Sequence, residues 1–320
     1  MRWHRLVPLL GVVLACTTNG KVPGPTDDTS PGTDAGSDTE STPVTWADVS
    51  LGALIACGLS SAGKLLCWEG QAQGGNAQAP GTGHYVEVSE GRYHGCALDD
   101  AGEAVCWGLE GNKSRYDYGQ TTPPAGPFHG LSAGMWQTCA LNVYEEIVCW
   151  GAGPTTDWVP PAGQWLKVSV GGDVACALNV DHSLTCWGFP GMPPPPEGNT
   201  FLDVDAGEWH ACTIAGDTTA SCWGGYNWDT PGIPGTPNFL SLSAGLEGSC
   251  GIRTDHSVLC WATDAKYNRY NAIERLLPTT SDWAKVSVGY GVACGITFEN
   301  ALQCWGNDWD GLLDVPDPPP

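Results

Sequence analysis

Residues 165–187 read WLKVSVGGDVACALNVDHSLTCW. An aromatic opens the stretch, a Val follows three residues later, and a Gly stands at the seventh position. The first Cys comes eleven residues after the aromatic, and a second Cys ten residues after the first, followed by Trp. The segments WLKVSV, VACAL and LTCW are short, apolar and rich in β-branched residues. They are separated by Gly-Gly-Asp and Asn-Val-Asp-His-Ser, which read as turns. This is the pattern of short strands joined by tight connections, and the hairpin over 174–187 predicts that Cys176 and Cys186 face each other on neighbouring strands. Partners across an antiparallel pair lie roughly 4.5–5.5 Å apart at Cα, within reach of a disulfide.

The same block recurs without insertion or deletion from residue 46 to the C-terminus. Its opening aromatics are Trp46, Tyr85, Phe128, Trp165, Phe201, Phe239 and Trp283. Its glycines are Gly52, Gly91, Gly134, Gly171, Gly207, Gly245 and Gly289. Its cysteines pair as Cys57 with Cys67, Cys96 with Cys106, Cys139 with Cys149, Cys176 with Cys186, Cys212 with Cys222, Cys250 with Cys260, and Cys294 with Cys304. We expect one hairpin disulfide per repeat. In the chain-entropy model each closes a short loop and contributes about 2–3 kcal/mol. The competing assignment is seven dithiol metal sites. Nine intervening residues are not zinc-finger spacing, and two thiolates supply half of a tetrahedral shell, so no metal is expected.

A repeat of about 39 residues with three or four short strands cannot bury both its faces alone. Radial stacking of seven such units buries them and leaves only short edges. The expected fold class is therefore all-β, a seven-bladed β-propeller over 46–320. An open β-solenoid is the alternative, but its repeats are usually shorter and end in caps. How the ring closes is left open: 312–315 (LLDV) is placed either in the last blade or beside the strand at 46–50.

The order aromatic-x-x-Val-Ser-x-Gly, then Cys-Ala-Leu, then Cys-Trp-Gly resembles the repeat of the regulator-of-chromosome-condensation family. The resemblance covers 46–320, with departures at Gly70, at Trp261-Ala262 and at Asp205, which replaces the usual Ser. It implies the propeller fold. The nucleotide-exchange activity of the family's founder is not carried over, since a repeat match argues fold and not function. The family also implies a structural role for His94 and His210, bonding across the turn. Asn307 to Leu313 approximately fills a turn that follows the family's Trp-Gly.

The chain begins with MRWHR and the ten-residue apolar run LVPLLGVVLA, 6–15. A charged start and a short apolar stretch form an export signal over 1–15, too short to span a bilayer as a mature helix. Val13-Leu14-Ala15-Cys16 resembles the lipobox of bacterial lipoproteins, and Cys16 is the one cysteine left over from the seven pairs. We expect Cys16 to be lipidated and 16–45, rich in Thr, Asp, Ser, Gly and Pro, to be a solvated tether. The expected location is the outer membrane or cell surface, with the lipid as the membrane contact.

Composition narrows the function. Of 320 residues, 13 are Lys or Arg and 35 are Asp or Glu, a formal net charge of −22. That sign excludes nucleic acid as a partner and electrostatic attachment to anionic lipid. Gly and Pro together make 69 residues and disfavour long helices. No HExxH, GxSxG or P-loop is present. Asp203 and Asp205 share a strand face. Asp308, Asp310 and Asp314 resemble a calcium loop but lack the twelve-residue order. No carboxylate pair stands out as a glycosidase would require. No enzyme activity and no cofactor are expected.

The tryptophans after each second Cys (Trp68, Trp107, Trp150, Trp187, Trp223, Trp261, Trp305) read as core packing. The informative positions are the variable ones in the fixed frame. Four residues of free composition separate each Gly from its Cys. The second of them is Leu54, Tyr93, Trp136, Asp173, Trp209, Glu247 or Gly291. Aromatics and acids gathered at one end of a propeller make an interface composition. The arrangement is similar to that of a secreted β-lactamase inhibitory protein of the same propeller type. The candidate binding residues are thus Leu54, Tyr93, Trp136, Asp173, Trp209 and Glu247. Variable spacers add Tyr116, Tyr118, Trp158, Tyr226, Trp228, Tyr267 and Tyr270. We expect a monomeric scaffold that binds a basic or neutral protein. A glycan stacked on exposed aromatics is the alternative, and a carboxylate hydrolase the third reading.

Overall fold

The computed structural model describes residues 43–53, 55–69, 79–108, 117–151, 158–188, 193–198, 200–224, 232–235, 237–246, 248–262, 272–280, 282–308 and 311–320. Cys16, Leu54, Tyr116, Tyr226, Trp228, Glu247, Tyr267 and Tyr270 lie outside them. Residues 43–320 form one compact unit. Among the described residues no helix is long and apolar enough to cross a membrane.

Seven antiparallel meanders carry the fold. Blade 1 is β1 (Trp46–Leu51), β2 (Ile55–Ser60) and β3 (Leu65–Glu69). Blade 2 is β4 (Tyr85–Glu90), β5 (His94–Asp99) and β6 (Ala104–Gly108). Blade 3 is β7 (Phe128–Ala133), β8 (Gln137–Asn142) and β9 (Ile147–Gly151). Blade 4 is β10 (Trp165–Val170), β11 (Val174–Asn179) and β12 (Leu184–Gly188). Blade 5 is β13 (Phe201–Ala206), β14 (His210–Ala215) and β15 (Ala220–Gly224). Blade 6 is β16 (Phe239–Ala244), β17 (Gly248–Arg253) and β18 (Val258–Ala262). Blade 7 is β19 (Trp283–Val288), β20 (Val292–Thr297) and β21 (Leu302–Gly306). A single helical turn, α1 (Ala272–Arg275), lies between blades 6 and 7 in sequence.

The two cysteines of each blade pair directly across the middle and outer strands. All seven expected disulfides are present: Cys57 to Cys67, Cys96 to Cys106, Cys139 to Cys149, Cys176 to Cys186, Cys212 to Cys222, Cys250 to Cys260, and Cys294 to Cys304. Their Cα atoms are 4.0–4.1 Å apart, closer than the general cross-strand spacing expected from sequence. The two ends of a bridge are not equivalent, a distinction the spacing does not carry. The middle-strand cysteine is fully enclosed in every blade. On the outer strand Cys67, Cys106, Cys149, Cys186 and Cys222 are half-buried, whereas Cys260 and Cys304 are buried. The middle strands are buried on both faces, which is why they read as near-continuous apolar runs.

The core lies between blades. Ile55, Cys57 and Leu59 of blade 1 pack with Tyr85, Val88, Ala97 and Trp107 of blade 2. Cys139 and Leu141 of blade 3 pack with Trp165, Val168 and Ala175 of blade 4. Each meander thus buries its faces against its neighbours. Within blades the opening aromatic meets the framework Trp: ring centroids of Trp46 and Trp68 are 6.0 Å apart, and those of Trp283 and Trp305 are 5.4 Å apart. Trp107, Trp150, Trp223, Trp261 and Trp305 are buried, as expected of core residues, while Trp68 and Trp187 are half-buried.

A belt of hydrogen bonds ties the inner strands together. Ser50 Oγ accepts from Glu90 N at 2.8 Å, Ser89 from Ala133 N at 2.9 Å and Ser132 from Val170 N at 2.9 Å. Ser169 accepts from Ala206 N at 2.9 Å and Ser243 from Val288 N at 3.0 Å. In blade 5 Asp205 does the work of the usual serine: its Oδ2 accepts from Ala244 N at 2.7 Å, and its Oδ1 also accepts from Ser169 Oγ at 2.7 Å. Its neighbour Asp203 holds Lys167 Nζ at 2.7 Å. Both acids are thus inter-blade struts. The belt closes with Ser287 Oγ accepting from Leu51 N at 3.0 Å, beside the Lys285–Asp48 ion pair at 3.1 Å.

The seven block glycines form a second ring. A Cβ on any of them would collide with the carbonyl oxygen of the glycine in the next blade, and Gly289 faces Gly52 in the same way. Close approach of neighbouring backbones at the channel wall therefore requires Gly at this position in every repeat. The two rings settle the architecture as a closed propeller and exclude the solenoid.

The C-terminal segment differs from both placements expected for 312–315: it forms no strand. Leu312 packs between blades 7 and 1, and its carbonyl accepts from Trp68 Nε1 at 3.2 Å. The spacer before blade 3 has the same geometry. Trp150 Nε1 donates to Gln120 O at 3.0 Å, and Gly119, like Gly311, has positive φ. The tail is thus the spacer that precedes blade 1 around the ring.

Candidate functional site

The turns between inner and middle strands gather at one end of the channel, as their repeat position predicts. Their first residues line a central cavity of about 70 Å3: Ala53, Arg92, Met135, Gly172, Glu208 and Leu246. This is well below the roughly 300–1,000 Å3 of sites that engulf a small molecule. Tyr93, Trp136, Asp173, Trp209 and Gly291, the described second residues of the turns, lie outside its lining.

Those second residues do not form one ring of equivalents. Tyr93 and Trp136 touch across blades 2 and 3, their rings 5.4 Å apart. Tyr118, exposed and supplied by the spacer, meets Trp136 edge-on at 5.7 Å. The Arg92 guanidinium sits 5.6 Å from the Tyr93 ring centre, in cation–π range. The result is a continuous patch of two half-exposed aromatics, Tyr93 and Trp136, and the exposed Tyr118, with a cation at its inner border. The third turn aromatic, Trp209, is engaged differently: its side chain hydrogen-bonds Glu208. Asp173 is half-buried, its amide donating to Glu208 O at 2.9 Å, and burial pushes its carboxyl up.

Arg92 and Glu208 form an ion pair between blades 2 and 5, on either side of the channel. Burial raises the Glu208 carboxyl, Arg92 opposes that rise, and Asp173 adds to it. Glu90 also lines the cavity, and burial alone raises it well above its ordinary value. The two channel glutamates are therefore shifted in the same direction, whereas a general acid and base pair needs opposed shifts.

His94 and His210 are buried and structural, but their partners differ from expectation. Each reaches across the blade boundary, His94 Nε2 to Thr138 Oγ1 at 2.6 Å and His210 Nε2 to Ser249 Oγ at 2.7 Å. Burial lowers both to about 4, so both are neutral at pH 7. Asp308 caps a turn by accepting from Gly311 N at 3.0 Å, and Asp310 lies outside the described residues. Trp158 is half-buried and packs against the core shared by blades 3 and 4.

Arg92, Glu208 and Glu90 were not singled out from sequence. Their signal is visible only by column: each is charged where most other blades carry small or apolar residues.

Fold and turns together define a seven-bladed β-propeller with one disulfide-closed meander per blade. No family model matches the chain, and no curated protein does. Solved structures do. The CRINKLY WD40 ectodomain of the Arabidopsis thaliana receptor kinase ACR4 is 23% identical with a TM-score of 0.66, covering 84% of this chain and 98% of that one. The ectodomain of the Physcomitrella patens receptor kinase CR4 is 24% identical with a TM-score of 0.65, covering 83% and 74%. Yeast RCC1 (Prp20), solved bound to Kap60, is 15% identical with a TM-score of 0.60, covering 80% and 81%. At these identities the likeness establishes the fold.

Proposed function

We propose that the protein is a non-enzymatic scaffold, tethered to the cell envelope through lipidated Cys16, that binds a basic or neutral protein by its Gly-turn face. The observation that carries this reading is the contiguous patch of Tyr93, Trp136 and Tyr118 beside Arg92. Trp, Tyr and Arg dominate interface energetics. The turns that carry Tyr93 and Trp136 run directly into the disulfide-anchored middle strands β5 and β8, which lowers the ordering cost of binding. Protein binding by propellers of this shape supports the reading: yeast RCC1 was solved with Kap60, and Prp20p is described by its binding to Gsp1p and histones. The net charge of −22 favours encounter with a partner that is not acidic.

The test uses oxidised 46–320 as bait on envelope and secreted fractions, beside a Tyr93→Ala/Trp136→Ala/Tyr118→Ala bait. Captured proteins are identified by mass, purified, and titrated against both forms. A loss of at least about 100-fold in affinity with the triple variant supports the reading. Equal affinity overturns the assigned face. Competition by free oligosaccharide, with no sensitivity to salt, overturns the protein partner in favour of a glycan. Mass analysis of the mature N-terminus tests lipidation of Cys16 separately.

A further inference from the structure

The last residue of each inner strand is apolar in six blades: Leu51, Ala133, Val170, Ala206, Ala244 and Val288. In blade 2 it is Glu90. Its side chain folds over Gly95, where other blades carry Ala, Thr or Ser, and a Cβ on Gly95 would overlap the carboxyl. The room left by glycine lets the carboxyl reach the disulfide of blade 1. Glu90 Oε1 lies 2.7 Å from Cys57 Sγ and 4.0 Å from Cys67 Sγ. A disulfide sulfur has no proton to donate, so this 7% exposed carboxyl faces only a weak partner. In two other blades a hydroxyl takes the equivalent place: Thr138 Oγ1 is 3.6 Å from Cys96 Sγ and Ser249 Oγ is 3.7 Å from Cys212 Sγ. Among the described residues, Glu90 is the one acid brought together with a cystine.

We propose that Cys57–Cys67 is a thiol–disulfide exchange site for a dithiol reductant, with Glu90 as the acid that protonates the departing Cys57 sulfur. Burial selects the point of attack: Cys57 is fully enclosed, whereas Cys67 on β3 is half-buried. Cys106, Cys149, Cys186 and Cys222 share that partial exposure, so the carboxyl is what sets this cystine apart. A thiolate of the reductant bonds to Cys67 Sγ as the Cys57–Cys67 bond breaks. The electron pair of that bond passes to Cys57 Sγ, which takes the Glu90 proton. The reductant's second thiolate then closes its own disulfide and releases Cys67, which takes a proton from water. The reductant loses two electrons and the cystine gains them. Glu90 regains its proton through the central cavity that it lines. Burial pushes the Glu90 carboxyl up, the direction that favours the protonated form a donor requires. In the reduced form the Cys57 thiol can donate to the Glu90 carboxyl, a hydrogen bond that the cystine cannot make, so this pair is also the easiest of the seven to reduce.

The oxidised full chain is exposed to dithiothreitol for set times, quenched with iodoacetamide and mapped by peptide mass. Cys57 and Cys67 are expected to label at least about ten-fold faster than the other six pairs. Glu90→Gln keeps the shape but not the proton, and is expected to bring the rate down to that of the other pairs. Glu90→Ala, the residue blades 3, 5 and 6 carry, is the second variant and is expected to do the same. Cys294–Cys304, in the blade on the other side of blade 1, controls for fraying near the ring's junction. Uniform labelling of all seven pairs, or fast labelling of Cys57–Cys67 that survives both substitutions, overturns the proposal.

Discussion

Arg92 of blade 2 is ion-paired with Glu208 of blade 5 across the mouth of the channel. The two residues are 116 positions apart and belong to non-adjacent blades. The pair therefore braces the ring across its diameter, while every other inter-blade bond described above joins neighbours. The same guanidinium flanks Tyr93, so the brace and the aromatic patch share one residue.

Arg92→Ala removes the charge that offsets burial of Glu208. The expected loss is about 1–3 kcal/mol at pH 7, because a buried acid is left without its partner. Glu208 is raised by burial, and removing Arg92 raises it further. A raised carboxyl costs stability as pH rises above its unfolded value. The deficit of the variant should therefore shrink from pH 7 to pH 4.5. Urea melts at the two pH values check both the size and the direction.

His94 and His210 are lowered to about 4 from an ordinary value of 6.5. Between those values the unfolded chain binds protons that the folded chain refuses, so stability falls as pH drops from 6.5 to 4. Each histidine contributes on the order of 3 kcal/mol to that fall. The raised carboxyls Glu87, Glu90, Asp173, Asp205 and Glu208 act in the opposite sense. The comparison must therefore be with His94→Gln and His210→Gln. Each variant should flatten the acid limb of the stability curve relative to the parent.

Residue 218 lies in the hairpin turn of blade 5 with φ of 69°. The equivalent positions in blades 1, 2 and 7 carry Gly63, Gly102 and Asn300, also at positive φ. A β-branched side chain is strained there, whereas Asn tolerates the left-handed region. Thr218→Asn is expected to raise stability by about 1 kcal/mol. Unchanged thermal midpoints would show that the turn relaxes around threonine.

Deletion of 311–320 removes Leu312 from the junction of blades 7 and 1 and uncovers Trp68. The junction then rests on the Ser287–Leu51 bond, the Lys285–Asp48 ion pair and the remaining core between blades 7 and 1. We expect faster amide exchange at Leu51 and red-shifted tryptophan emission, with slower change in blades 3 to 5. Ser287→Ala alone should cost about 1 kcal/mol. Uniform exchange over all blades after the deletion would show that the ring opens as one unit.

How much was legible follows from which interactions are local. The cysteine spacing, the hairpins and the identity of the opening aromatics repeat seven times, and each depends on residues close in sequence. Strand pairing, the disulfides and the need for neighbouring blades could therefore be read directly. So could the end of the propeller at which the variable turns gather. Tyr93 and Trp136 were placed at that end from sequence, but Tyr118 was grouped with the spacers. The pairing of Cys250 with Cys260 was equally legible, but not that Cys260 is enclosed while Cys106, Cys149 and Cys222 are partly open, because the covering residues come from elsewhere in the chain.

The sequence by itself determined the blade, the number of blades and the positions free to vary, because each repeat encodes its own meander and cannot bury its faces alone. Only the tertiary structure decided what crosses between blades. Closure by Ser287 and Leu312, the brace from Arg92 to Glu208, and the carboxyl of Glu90 against Cys57 all join residues from different repeats. Such contacts depend on the curvature and spacing of a closed ring. That geometry is a property of seven packed units, and no single repeat carries it.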